Sequence, residues 1–358
     1  MKLIFFIPRQ HTNLNGLYEF LNKQHIKVTS IVNSIYEIED HSLIVPIKLK
    51  QSFYSKILEF LLKNIKNRFF FPKVRIVYNF IQKNDLVVLR NQSIIFSIYV
   101  ILFSKILKKK IIIYLQEPID ILYKNQSKKI KYIILSKIFK VTYFSPIKGQ
   151  KKIHSQKIFY LPFFLSESIR NHSQIKNEII TITMIGKFYE RKNHKFFINL
   201  VNILNKKIKI IPIIIGSRPQ KEIDNYNEII KYIKRLNVEN IVIYQSIDNS
   251  KVLEILNKSH FFILPSYDEP AAFSPYEAMA CGNITFLNKE NRIKYNFSDL
   301  KTVYELNINK PLHTAKKIIN ISKNTNMTSK LIETRNKTLY YDRLYKKYLK
   351  LILNNAKL

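Results

Sequence analysis

Four charged side chains in this sequence have the type and spacing to handle a phosphorylated sugar. Glu269 and Glu277 bracket a loop and the start of a helix in FFILPSYDEPAAFSPYEAMACGNITFL, residues 261–287. Lys187 and Lys192 follow Gly186 in IGKFYERKN, residues 185–193. Carboxylates accept the paired hydroxyls of a sugar or a ribose. Two ammonium groups converging on a diphosphate stabilise the charge of a departing phosphate. Between the glutamates, Ser274 is an apt N-cap, Pro275 is the favoured first helical residue and Gly282 stops the helix after about two turns. The backbone at Ala272, Phe273 and Ser274 then meets the helix N-terminus, where N–H groups and the dipole suit a pyrophosphate. Ser274 and Glu277 also have capping-box spacing, which would occupy Glu277 without any ligand. Lys187 and Lys192, taken alone, read equally well as a solvated basic turn in a Lys-rich chain.

These residues need strands to hold them, and the apolar runs supply candidates. In the first half the runs are Leu3–Ile7, Val28–Val32, Leu86–Leu89, Ile111–Leu115 and Val141–Phe144. In the second half they are Ile180–Ile185, Ile208–Ile215, Ile241–Tyr244, Phe261–Leu264 and Ile284–Leu287, with a helical pattern over Lys221–Leu236. Short apolar runs separated by longer mixed segments are the rhythm of a parallel sheet flanked by helices. The length, 358 residues, exceeds one ordinary core. The expected class is α/β, with two Rossmann-like domains facing each other across a cleft. The expected division is a first domain over 1–165, a polar linker over 166–178, a second domain over 179–329 and a terminal helix over 330–358 that packs back across the domains.

Composition removes other classes. With five glycines, neither G-x-G-x-x-G nor a Walker A loop can be written. One cysteine, Cys281, excludes an internal disulfide, and no Cys/His group has zinc-ligand spacing, so a reducing, cytoplasmic setting without a metal is expected. Cys281 reads as packed behind the helix at Ser274, and the eight histidines, His194 included, read as surface or loop residues. The N-terminal MKLIFFIPRQ is too short for a signal-peptide core and reads as a buried strand. Ser93–Leu107 is too short to span a bilayer and reads as a buried helix.

The formal charge of +35 calls for an anionic partner or surface. Residues 1–165 hold 28 Lys and Arg against 8 Asp and Glu. Two stretches, Ile47–Phe80 and Leu122–Lys140, combine cations with aromatic or apolar residues and can lie on anionic lipid. A solvated helix face explains them equally. A basic nucleic-acid-binding protein is the alternative the charge raises, although no recognition element such as a helix-turn-helix or zinc finger is written in the chain.

The segment 261–287 resembles the donor-binding signature of the large retaining GT-B glycosyltransferase family, family four: Glu, seven residues, Glu, then Ala-Met-Ala-Cys-Gly, here Glu269 to Glu277 and Ala278 to Gly282. The turn Ile185–Asn193 resembles the same family's strand-to-helix turn, with a cation after the glycine and a Lys five positions later. The resemblance implies transfer of a sugar from a nucleoside-diphosphate sugar to a glycan or lipid-linked acceptor with retention, in surface polysaccharide or lipopolysaccharide assembly. It implies no cofactor, no metal and no nucleic acid. Lys187, Lys192 and Glu269 take the catalytic roles, and Gly186, Lys187, Lys192, Glu269, Ala272, Phe273, Ser274, Glu277 and Gln116 bind the donor. Gln116 stands where the family presents a His, and the glycine-rich loop usual after the first strand is reduced to Gly16. Those departures leave a catalytically inactive scaffold as a further alternative. No residue is assigned as base, since in the family the leaving phosphate assists deprotonation.

Overall fold

Alternation along the first strand shows how the fold is organised. In β1 (Lys2–Arg9), Ile4 and Phe6 enter one core with Val77, Ile81, Phe96 and Val100. Leu3 and Phe5 face the other side, against Leu17, Leu21, Leu349 and Leu353. A strand covered on both faces reads as an unbroken apolar run, which is why LIFFI, LVVL and FFIL are legible as parallel strands.

The computed structural model describes residues 1–9, 12–34, 43–50, 52–54, 72–90, 94–115, 118, 134, 137–148, 158–171, 176–217, 223–269, 271–297 and 299–355. It divides into two compact units, residues 1–166 with 345–358, and residues 167–344.

In the first unit β1 is followed by α1 (Asn15–Lys23), β2 (Lys27–Ser34), β3 (Ile47–Lys48), α2 (Val74–Gln82), β4 (Leu86–Leu89), α3 (Ile94–Ile106), β5 (Lys110–Tyr114), β6 (Thr142–Ser145) and β7 (Ile158–Tyr160). All pair in parallel in the order β3-β2-β1-β4-β5-β6-β7. Gly16, to which the family's glycine-rich loop after the first strand is reduced, lies inside α1. A Cβ there would stand 2.2 Å from the Phe164 carbonyl oxygen, so this glycine serves a close approach of helix to chain.

The second unit begins with α4 (Glu167–Asn171), inside the stretch expected to be a polar linker. It continues through β8 (Ile180–Ile185), a 3₁₀ turn (Glu190–Lys192), α5 (His194–Asn205), β9 (Ile210–Gly216), α6 (Ile223–Arg235), β10 (Val242–Gln245), α7 (Asn249–Lys258), β11 (Phe261–Leu264), α8 (Ser274–Ala280), β12 (Ile284–Asn288), β13 (Val303–Leu306) and α9 (Pro311–Ser322). The sheet order is β10-β9-β8-β11-β12-β13, again parallel throughout. Lys176 ties this unit together: its buried Nζ donates to the carbonyls of Ser259 and Cys281, which end α7 and α8. Burial pushes its pKa down to about 7.

The last helix, α10 (Met327–Asn355), belongs to the second unit as far as Leu344 and to the first from Tyr345. Within the first unit Lys346 donates to the Leu165 carbonyl at 2.8 Å, and Tyr345 meets Tyr160 edge-on.

Candidate functional site

The order β9-β8-β11-β12 makes β8/β11 the point where the sheet reverses its direction of growth. Ligands of open parallel sheets bind beyond the carboxyl ends of the strands at such a point. The turn after β8 carries Gly186, Lys187 and Lys192, and the loop after β11 carries Glu269 and Ala272 before Phe273, Ser274 and Glu277. Topology thus joins two motifs far apart in the chain.

Contact between them is direct. Lys192 Nζ donates to both carboxylate oxygens of Glu269, at 2.6 and 2.7 Å. The Lys192 side chain is only 10% exposed and that of Glu269 14%. Arg191 stands 3.9 Å from the same carboxylate. Backbone bonds hold this approach, since the Tyr267 N–H donates to the Arg191 carbonyl at 2.7 Å. Asn288 Nδ2 donates to the carbonyl of the adjacent Ser266, so the start of the loop is held from two sides. Burial lowers the Lys192 pKa, and the Glu269 charge and hydrogen bonds oppose that shift.

Two glycines make room for the turn. A Cβ on Gly216 would lie 2.4 Å from the Gly186 carbonyl oxygen, and one on Gly186 would touch the Lys192 stem at 3.1 Å. The strands β8 and β9 can therefore end side by side with the Lys192 chain laid across them. Asn193 reverses the chain at φ 54°, and its side-chain oxygen accepts the Phe196 N–H to cap α5. Lys187 is exposed at the rim of this turn.

Glu277 has different surroundings. The sequence placed Ser274 as N-cap and allowed a capping box; in the structure Phe273 is the N-cap, α8 starts at Ser274, and no side chain caps the helix. Pro275 then stands second in the helix, where its missing N–H still removes no intrahelical bond. Glu277 is 8% exposed, and its carboxyl has no hydrogen-bonding or ion-pair partner among the described residues. Burial pushes its pKa up to about 7. A buried acid without a partner is costly unless a ligand supplies one. Ala272, five residues before it, is also buried, and Phe273 packs edge-on to Tyr276. Gly282, at φ 79°, ends the helix as the sequence indicated.

Gln116 lies outside the described residues; β5 leads towards it and ends at Tyr114. The histidine reading is corrected at two positions. His194 is buried, stacks on Phe188 and bonds to the Gly186 backbone, and burial holds its pKa down to about 4. His260 is also buried and accepts the Thr181 N–H at Nδ1. Cys281 is buried, with its thiol pushed up to about 12 by burial. Among the described residues no three His, Cys, Asp or Glu side chains group as metal ligands. The sequence reading missed Tyr267 and Asn193. Asn193 had a signal, a left-handed-tolerant cap residue just before an apolar helical run, but the bond of Tyr267 to Arg191 could be seen only in the folded chain. A cavity of about 310 Å³ opens beside the turn, lined by Tyr189, Asn193, His194, Asn225, Glu228 and Tyr267; it includes none of the predicted site residues.

Two parallel-sheet α/β units with cations and carboxylates at the second unit's switch point define a protein of the GT-B glycosyltransferase fold. Residues 166–338, just under half of the chain, match the model of the family glycosyl transferases group 1. Solved structures agree in fold. Anabaena HepE in complex with UDP and glucose superposes with a TM-score of 0.74 at 12% identity, over 99% of this chain and 100% of that one. A glycosyltransferase from Rickettsia africae gives 0.74 at 12% identity, over 99% and 98%. Sucrose-phosphate synthase from Thermosynechococcus elongatus gives 0.66 at 12% identity, over 99% and 98%. No curated protein matches the chain by sequence.

Proposed function

We propose that this protein transfers a sugar from a nucleoside-diphosphate sugar to a glycan or lipid-linked acceptor, with retention of configuration and without a metal or other cofactor. The buried carboxyl of Glu277, which has no hydrogen-bonding partner among the described residues, carries the reading, because the hydroxyls of a ribose would supply donors to it. Lys187 and Lys192 hold the diphosphate and stabilise its charge as the glycosidic bond to the sugar breaks. Lys192 is held by Glu269 until then, so an arriving diphosphate shares the ammonium and leaves the Glu269 carboxylate oriented towards sugar hydroxyls. The structures of HepE in complex with UDP and with UDP-glucose support the donor class. The acceptor belongs to surface polysaccharide or lipopolysaccharide assembly at the cytoplasmic face of a membrane. The basic composition supports that setting, and no described helix is long and apolar enough to cross a membrane.

The test is a calorimetric titration of EDTA-treated protein with a panel of nucleoside diphosphates and their sugars. Micromolar binding of one nucleoside diphosphate is expected, lost in Glu277→Ala and in the double variant Lys187→Ala/Lys192→Ala. Binding that survives in both variants, or none across the panel, overturns the reading.

A further inference from the structure

Residues 93–107 read from sequence as a buried helix, and the structure corrects this on one face. In α3, Phe96, Val100 and Ile101 are buried against the sheet, while Ile98, Leu102 and Ile106 are 50%, 41% and 67% exposed. Positions spaced by four residues form a single stripe, here about 12 Å long from Ile98 to Ile106. The helix is fixed in this orientation by aromatic contacts: Phe103 stacks on Tyr99 and meets Tyr78 of α2 edge-on. A second pair at the same spacing, Ile134 and Ile138, is also exposed. Phe139 packs on the same core cluster as Phe103 and Leu107, so this pair lies over the same side of the sheet.

The charges around these residues have one sign. Lys105, Lys108, Lys137 and Lys140 are exposed, and among the described residues none of the four meets a carboxylate. The sequence contains no Asp or Glu from 86 to 116 or from 121 to 166. Exposed aliphatic side chains gain by leaving water and the lysines beside them gain from facing anions, and an anionic bilayer supplies both. The isoleucines and leucine enter the boundary between headgroups and acyl chains while the ammonium groups meet lipid phosphates. An acidic protein partner fits less well, because the stripe is the convex outer face of a helix, and aliphatic residues, not the aromatic and Arg anchors of protein interfaces, stand out from it.

We propose that the outer face of α3, with Ile134 and Ile138 and their flanking lysines, is the surface by which this protein docks on anionic phospholipid. The inference rests on the proposed work at a membrane in naming that partner, and is independent of the donor site.

The test is sedimentation of the full chain with vesicles of phosphatidylcholine alone and with vesicles containing phosphatidylglycerol. Wild type is expected to bind only the second kind and to be released by salt. Ile98→Ser/Leu102→Ser/Ile106→Ser should bind at least about tenfold more weakly, and Lys105→Glu/Lys108→Glu about thirtyfold or more. Both should retain the nucleotide affinity of wild type, which separates failure of docking from failure of the donor reading. Because Cys281 is buried, Leu102→Cys can be labelled selectively with an environment-sensitive dye; its emission should shift to the blue on anionic vesicles, whereas Lys234→Cys should not respond. Unchanged binding by the triple variant overturns the proposal. So does a wild-type dimer that the triple variant dissociates, since the stripe would then cover a second copy of the chain.

Discussion

Replacing Glu277 by Gln should make the protein more stable at high pH and leave it nearly unchanged in acid. In the folded chain the carboxyl keeps its proton up to about pH 7, against an ordinary value of 4.5, because burial disfavours the anion. Between those two pH values the native state holds a proton that the unfolded state has released, so stability falls as pH rises. Each tenfold difference in proton affinity corresponds to about 1.4 kcal/mol, which puts the full loss at about 3 kcal/mol once the pH exceeds 7. Gln has no proton to lose, and whatever its amide costs in the same place does not vary with pH. Urea unfolding of the two proteins at a series of pH values isolates the carboxyl as the change in their difference: small at pH 5, about 3 kcal/mol in favour of Gln at pH 8. The same group should act on ligand binding. If ribose hydroxyls donate to the ionised carboxylate, nucleoside diphosphate affinity should fall by up to about tenfold for each pH unit below 7. Calorimetry in two buffers at pH 6 should then register proton release. A difference between wild type and Glu277→Gln that stays constant from pH 5 to pH 8 would refute the assignment of this carboxyl as buried and protonated.

Three further outcomes follow from the geometry of the turn. Gly216→Ala, which drives a Cβ to 2.4 Å from a backbone oxygen, should cost about 2–3 kcal/mol in thermal unfolding, whereas Gly186→Ala meets only the movable Lys192 stem and should weaken nucleotide binding more than stability. Lys192→Met and Glu269→Gln should each be destabilising alone, and the double variant should cost about 2 kcal/mol less than their sum; strict additivity in a double-mutant cycle would show that the pair is not formed in solution. Asn193→Ala should lose about 2 kcal/mol from the cap and the left-handed backbone together, while Asn193→Gly should keep most of the stability, as read from denaturation midpoints.

What the sequence determined by itself is local. The runs Leu86–Leu89 and Phe261–Leu264 coincide with observed strands because a strand covered on both faces is apolar throughout. The two motif segments were legible because their spacing and residue types carry chemistry without reference to the rest of the chain, and both lie inside the stretch that the group 1 family model matches. The sequence could not show that β8 and β11 are neighbours, since strand order depends on which faces the intervening helices can cover. That adjacency brings Lys192 onto Glu269. It also could not decide between a capped and a free Glu277, because the helix boundary moved by one residue when Phe273 took the N-cap. Burial was the third limit: His194 and His260 are buried although nothing in their sequence surroundings required it, and Ile98, Leu102 and Ile106 lie in an apolar stretch but stand on the outer face of a helix. Periodicity reveals which residues share a side, and only the packed chain decides what lies against each side.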